Sequence, residues 1–325
     1  MTIVDRYGRP VTGLRISVTS RCNLNCIFCH TEGLGKEVED VVMTPQEIER
    51  VTRIAMEFGV NSVKLTGGEP MMRIDILEIV ERLGRLGLKD LSMTTNGFRI
   101  AELAGDLRKK GLRRINISLH SIDPAKYAFI TGLRDPERGR LALNKTIEAI
   151  KKSIEVGLDP VKLNVVVLKG VNENELEDLI KFAEKLSSKG KVILQLIELV
   201  ECGSAPSIFK KNYCNLAEVE NEIGKRAVKK VTRRLHFRTQ YLLPNGVWVE
   251  FVRPTRNYIF CMNDTRLRIT HDGKFKPCLM RNDNHVDFLK AMRSGASDEE
   301  LKKIFLKAVD LREPYWKPPA LQKLR

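Results

Sequence analysis

Cys22, Cys26 and Cys29 fall within one eight-residue segment, CNLNCIFC. Three thiolates this close can hold three irons of a [4Fe-4S] cluster and leave the fourth iron open to a ligand. A structural zinc ion is the rival, but tetrahedral zinc wants four ligands, and His30, adjacent to Cys29, is poorly placed to close on the same ion. With Cys202, Cys214, Cys261 and Cys278 the cysteines number seven, an odd count that suits metal ligation in a reducing compartment better than a disulfide framework. The second chemical pattern is Thr66-Gly67-Gly68-Glu69-Pro70. Glycines admit close approach of a ligand to the backbone, and Glu69 offers an acceptor for an ammonium group. A glycine pair is often only a turn, but this one follows a strand pattern that itself follows the cysteine segment.

Such groups need a scaffold. Short β-branched runs at 14–19, 62–66, 91–95, 115–119, 162–168 and 192–198 alternate with helical patterns at 44–58, 75–86, 138–155 and 173–187. That order predicts an α/β fold of six βα units on a parallel sheet, either an open barrel or a doubly wound sheet. Thr44 reads as a helix N-cap, Pro45 as the first helical residue, and Glu47 completes a capping box. After about residue 230 the pattern changes to strands at 239–243, 247–252 and 267–270, with turns at Pro244-Asn245-Gly246 and His271-Asp272-Gly273. The division expected is 1–230 for the barrel and 231–325 for a smaller α+β unit ending in a helix over 298–310.

The strands carry an informative alternation. Arg15, Ser17 and Thr19 share one face of the first strand, opposite Leu14, Ile16 and Val18. Lys64 in the second strand, Asn116 and Ser118 in the fourth, and Lys162 and Asn164 in the fifth repeat it. Strands covered by helices on both faces read as continuous apolar runs, so a polar, cationic face points to a hydrated interior cavity for an anionic ligand. Any one of these cations could instead lie at a strand end and reach solvent. Three of them on separate strands favour the cavity.

Composition bounds the rest. The 325 residues carry 56 Lys+Arg against 41 Asp+Glu, a formal charge of +15, with 42% hydrophobic residues. This excludes a disordered chain and fits a nucleotide, a nucleic acid or an anionic surface as partner. No apolar run reaches the ~20 residues that span a bilayer, and the N-terminus lacks a signal-like apolar core, so a soluble cytoplasmic protein is expected.

On these motifs the chain resembles the radical S-adenosylmethionine superfamily, and over nearly its whole length the GTP 3′,8-cyclase (MoaA) family. The segments that carry the resemblance include 14–19, Lys64-Leu65-Thr66-Gly67-Gly68-Glu69-Pro70, Thr94-Thr95-Asn96-Gly97, 115–119, Lys169-Gly170-Val171-Asn172, Thr265-Arg266-Leu267-Arg268 and Pro277-Cys278. The resemblance implies an incomplete (βα)6 TIM-like barrel closed by a C-terminal domain that binds a second [4Fe-4S] cluster. It places Cys22, Cys26 and Cys29 on the first cluster and Phe28, Gly68, Glu69 and Ser118 at the S-adenosylmethionine. Arg15, Lys64, Thr95, Lys162, Arg266, Leu267 and Arg268 fall at GTP, and Cys261, Asp264 and Cys278 on the second cluster. The implied reaction opens molybdenum cofactor biosynthesis: a 5′-deoxyadenosyl radical takes the ribose 3′ hydrogen of GTP, and C3′ then joins C8 of guanine. Implied partners are an electron donor and a downstream enzyme forming cyclic pyranopterin, with a homodimer allowed and neither membrane nor nucleic acid expected.

The chain departs from the family in three places. Asp264 stands where the second cluster's middle cysteine is expected; it either ligates through oxygen, the favoured reading, or yields to Cys202 or Cys214, or the cluster is incomplete. Cys202 and Cys214 read more simply as buried small hydrophobes. A terminal Gly-Gly is replaced by Leu321-Gln322-Lys323-Leu324-Arg325, and Val200 stands where a methionine is usual. Rival functions are a radical enzyme acting on tRNA or a peptide, and a GTP-binding paralogue with impaired turnover.

Overall fold

The computed structural model describes residues 2–33, 41–202 and 206–319. The expected tail departure at 321–325 lies outside the described residues. The six expected strands are present as β1 (Gly13–Ser17), β2 (Ser62–Thr66), β3 (Asp90–Thr95), β4 (Arg114–Ser118), β5 (Val161–Val167) and β6 (Val192–Glu198). The helices between them are α1 (Pro45–Glu57), α2 (Ile76–Arg85), α3 (Ile100–Lys109), α4 (Pro124–Thr131), α5 (Pro136–Glu155) and α6 (Leu176–Ser187). All six strands run parallel in sequence order. The local rules hold at the first helix. Thr44 Oγ1 accepts from the Glu47 N–H at 3.2 Å while the Thr44 N–H donates to Glu47 Oε2 at 2.8 Å, the capping box expected from sequence.

After α7 (Pro206–Asn212) and α8 (Ala217–Lys225) come β7 (Lys229–Thr232), β8 (Thr239–Leu242), β9 (Trp248–Val252), α9 (Tyr258–Met262), β10 (Arg266–Ile269), β11 (Lys274–Lys276) and β12 (Val286–Asp287), then α10 (Leu289–Arg293) and α11 (Asp298–Asp310). These strands make no sheet of their own among the described residues. β10 pairs parallel with β1 and β9 parallel with β6, so the C-terminal chain extends both edges of the barrel sheet.

The outward faces of the parallel strands make the core with the helices. Leu14, Ile16, Val63, Leu65, Ile115, Ile117, Leu163 and Val165 are all fully or almost fully buried there. Each such side chain contributes about 1.5–3 kcal/mol on leaving water. That apolar face fixes strand register, because a one-residue slip would turn the polar row into the core.

Candidate active site

Strand pleat and register aim the opposite row of side chains into one cavity of about 1210 Å³ that reaches the C-terminal ends of β1–β6. Cys22, Cys26, Phe28, Cys29, Gly68, Glu69, Thr95 and Ser118 line it. So do Arg15, Lys64, Lys162, Arg266, Arg268, Cys261, Asp264 and Cys278. Leu267 is the exception: alternation along β10 buries its side chain in the core, leaving only its main chain for the cavity.

The first cysteine loop is clamped from two sides. The Gly68 N–H donates to Thr19 O at 2.7 Å and the Glu69 N–H to Arg21 O at 2.8 Å. A Cβ on Gly68 would stand 2.2 Å from Arg21 O, so glycine here serves the approach of the cysteine loop itself. On the far side the Asn25 N–H donates to Thr131 O at 3.1 Å and the Ile27 N–H to Ile130 O at 3.0 Å, at the C-terminus of α4. There Gly132, with φ of +74°, lies where a Cβ would be 2.1 Å from Asn25 O. Burial pushes the Cys22 thiol up to about 11 and the Cys26 thiol still higher. Main-chain N–H groups of Leu24 and Thr31 point at Cys22 and Cys29 Sγ from 3.5 and 3.4 Å, an arrangement that favours thiolates. The donor set fits a cluster: three thiols on one cavity wall, each to lose its proton when iron binds. Among the described residues no three His, Cys, Asp or Glu side chains are arranged to hold a single metal ion. A cubane takes its ligands at separate corners, so that arrangement does not count against one.

Glu69 is buried beneath this loop. Its Oε1 accepts from Thr95 Oγ1 at 2.6 Å and the Met71 N–H at 3.0 Å, and its Oε2 from the Asn96 N–H at 2.7 Å. Burial outweighs these donors and raises the carboxyl to about 7. An ammonium group at Glu69 would share a carboxylate that already braces three protein donors. Phe28 packs edge-on against His120 at 4.6 Å between ring centres, and Ser118 ends β4 at the same wall.

The cation cage follows from register. Arg268 pairs with Arg15 and Arg15 with Lys64 across three strands, while Asn164, Gln195, Glu250 and Gln240 form a second row. Lys64 Nζ donates to Asn116 Oδ1 at 2.7 Å, and Asn116 Nδ2 to Asn164 Oδ1 at 3.1 Å. Burial, then the charges of Arg114, Arg266 and Arg15, push the Lys64 ammonium well down. Arg266 is lowered likewise by burial and by Arg238 and Arg15. Cations crowded to this degree repel one another, and an anion placed among them would offset that repulsion.

Two carboxylates interrupt the cage. Glu250, fully buried, pairs with Lys162, takes Arg238 Nη1 at 3.0 Å and Arg233 Nη1 at 3.3 Å, and accepts from Gln240 Nε2 at 2.5 Å. Burial would raise it, but Arg238, Lys162 and Arg233 hold it well below the carboxylate range. Glu32 accepts from Arg15 at 2.7 Å, Arg268 at 3.1 Å and Thr66 Oγ1 at 2.9 Å, just past the first cysteine loop.

Elsewhere on the cavity lining Cys261, Asp264 and Cys278 are electrostatic neighbours. Burial lifts the Cys261 thiol to about 11 against the N–H groups of Trp316 and Tyr315, and lifts Cys278 against that of Met280. Asp264 Oδ1 meets His236 Nε2 at 3.0 Å and the Arg266 N–H at 3.1 Å, and Arg312 donates to its main-chain oxygen at 2.7 Å. Burial opposes its charge, but His236, Arg312 and Arg9 hold the carboxyl far below its ordinary value. His236, its side chain 10% exposed, is lowered to about 3 by burial. Its backbone lies in the left-handed region at φ 58°, a conformation costing about 1–3 kcal/mol. Cys202 is half-buried with Cys278 and Lys276 among its electrostatic neighbours, whereas Cys214 packs at the core edge. The reading of Cys202 as a simple buried hydrophobe therefore misses its place beside this site.

Sequence reasoning passed over Arg233, Arg238, Glu250, Glu32 and His236. Alternation in the strand pattern VWVEFV would have found Glu250, between core residues Val249 and Phe251. The other four lie in turns and loops, where no period assigns a face.

Two family descriptions match the chain: Radical SAM superfamily over residues 16–183 and Molybdenum Cofactor Synthesis C over 192–318. A probable GTP 3′,8-cyclase of Thermococcus kodakarensis is 49% identical, covering 97% of this chain and 100% of that one. Its counterpart in Methanothermobacter marburgensis is 42% identical, covering 97% and 99%. Among solved structures, Streptococcus suis SuiB superposes with a TM-score of 0.62 at 17% identity, over 96% of this chain and 68% of that one. SuiB bound to S-adenosylmethionine gives 0.61 at 20% identity, over 84% and 62%. At these identities the likeness is one of fold.

Proposed function

This chain belongs to the radical S-adenosylmethionine superfamily and, within it, to the GTP 3′,8-cyclase family, and from that premise we propose that it cyclises GTP to 3′,8-cyclo-7,8-dihydroguanosine triphosphate, the first step of molybdenum cofactor biosynthesis. Its cofactors are a [4Fe-4S] cluster and S-adenosylmethionine, with Cys22, Cys26 and Cys29 as the cluster's ligands. Bound there, they supply the 5′-deoxyadenosyl radical that the reaction needs.

The chain's own residues bind, orient and exclude water. Arg15, Lys64, Lys162, Arg266 and Arg268 neutralise the triphosphate, and guanidiniums two apart on β10 can grip it at two points. Phe28, Gly68, Glu69 and Ser118 shape the S-adenosylmethionine end, and Thr95, whose hydroxyl donates to Glu69, would meet GTP beside it. Cys261 and Cys278, which line the same cavity, would hold a second cluster with an iron open to the guanine ring. Placing both ends in one cavity lets a substrate carbon sit beside the radical with little freedom to move. No helix among the described residues is long and apolar enough to cross a membrane. A cytoplasmic setting, a low-potential electron donor, a downstream pyranopterin-forming enzyme and a homodimer complete the proposal.

The observation that carries the reading is the registered row Arg268, Arg15 and Lys64 facing the cavity rather than solvent. A tRNA-binding enzyme would instead show its cations on an extended outer surface. The test is anaerobic incubation of iron-reconstituted protein with S-adenosylmethionine, reductant and GTP, read by mass spectrometry. GTP-dependent formation of 5′-deoxyadenosine and a cyclised isomer of GTP is expected. Bound GTP without either product would assign the chain as a nucleotide-binding paralogue.

A further inference from the structure

His236 lines the cavity with Cys261, Asp264 and Cys278, and the function proposed above gives it no role. Its position is tightly set. The ring stacks on Phe260 at 3.8 Å between centres, and the His236 N–H donates to Asn263 O at 2.7 Å. Both contacts bind it to the turn of chain that carries Cys261, and the left-handed backbone at φ 58° is held by them.

The two ring nitrogens differ. Nε2 lies 3.0 Å from Asp264 Oδ1, and an ionised carboxylate only accepts, so in the neutral ring Nε2 carries the hydrogen. Nδ1 then presents a lone pair, and it is buried without a hydrogen-bond partner. Leaving such an acceptor unmet is costly, which points to a ligand that fills it. An imidazole whose far nitrogen donates to a carboxylate is the arrangement that orients metal-bound histidines, and histidine ligates iron in some iron–sulfur centres. Asp264 Oδ1 is already engaged, receiving both the His236 ring and the Arg266 N–H, while Oδ2 has Arg312 Nη2 at 3.9 Å, so Asp264 ligation through Oδ2 is the rival that the test must separate.

We propose that His236 Nδ1 is the third protein ligand of the second [4Fe-4S] cluster, beside Cys261 and Cys278, and that Asp264 is a positioning residue orienting the imidazole. The inference rests on the second-cluster part of the proposed function. It replaces the oxygen ligation by Asp264 expected from sequence. Binding iron through Nδ1 releases no proton, whereas each thiol releases one.

The test uses the full chain with Cys22, Cys26 and Cys29 all changed to Ala, so that only the second site can hold a cluster. After anaerobic reconstitution and reduction, iron and sulfide are counted and pulsed EPR records nitrogen couplings, without GTP or S-adenosylmethionine present. The expected result is about four irons per chain and a strong ¹⁴N coupling that converts to ¹⁵N on histidine-selective labelling. His236→Gln is expected to abolish the coupling and lower iron retention, and His236→Cys to restore iron without the coupling. Asp264→Asn keeps an oxygen that can accept from Nε2, so cluster and coupling are expected to remain. Cys202→Ala should leave both unchanged. A cluster without histidine coupling that is lost in Asp264→Asn or Cys202→Ala overturns this assignment and leaves the second cluster standing. A folded chain that binds no iron overturns both.

Discussion

The two cysteine sites line one cavity yet are built in opposite ways. The first takes three thiols from a single loop, and the surrounding chain contributes mainly backbone: the Gly68 and Glu69 N–H groups on one side and the α4 carbonyls on the other. The second is assembled from residues up to 42 positions apart, His236 to Cys278, within a mesh of buried charge that includes Asp264, Arg266 and Arg312. The difference teaches that the first site is specified by shape and the second by electrostatics. Changes of size should damage the one, and changes of charge the other.

The largest effect is expected from Cys26→Ala. Product formation should fall by at least about 10³-fold, because the residue helps hold the source of the chemistry. The second site should keep its iron, which iron counting checks. Next comes Glu250→Gln, which leaves Lys162, Arg233 and Arg238 without their shared counter-charge. Removing one partner of a buried ion set costs about 3–5 kcal/mol. Urea denaturation should show the loss, and GTP should restore part of it by bringing phosphate to the same cations.

Glu69 gives a pH test of the shape-built region. Its folded value near 7 lies above the ordinary 4.5, so the folded state holds the proton more tightly. That contribution is fully present below about pH 4.5 and is lost as pH rises to about 7, on the order of 3 kcal/mol in all. Denaturation of the protein without ligands between pH 5 and 8 should show the decline, and Glu69→Gln should flatten it. Gly68→Ala sharpens the comparison from the side of size. The Cβ would overlap Arg21 O and Ser20 O, at a cost of about 1–3 kcal/mol, with loss of iron at the first site only. The smallest effect is expected at Glu32, which competes with phosphate for Arg15 and Arg268. Glu32→Gln should lower the KM for GTP by about 3- to 10-fold, within the range of the two ion pairs it makes with Arg15 and Arg268.

Much of this was legible in the sequence because strands have a period. The alternation of Arg15, Ser17 and Thr19 against Leu14, Ile16 and Val18 marks the cavity face in the sequence itself, and the six parallel strands follow from the same runs. The C-terminal strands were legible as strands but not as edges of the barrel sheet, since pairing between β10 and β1 joins residues more than 250 positions apart. Glu32 and His236 were not legible. Both sit in short 3-10 turns with left-handed backbone, where no repeat says which way a side chain points. His236 comes to Asp264 only through the packing of its turn on α9.

The central claim is that a radical formed at the first cysteine site meets GTP held by the cation cage of the same cavity. The most direct measurement uses GTP deuterated at the ribose 3′ carbon, incubated anaerobically with reconstituted protein, S-adenosylmethionine and reductant. The account predicts deuterium in the 5′-deoxyadenosine together with a cyclised GTP product. Unlabelled 5′-deoxyadenosine, formed at the same rate with and without GTP, would contradict it.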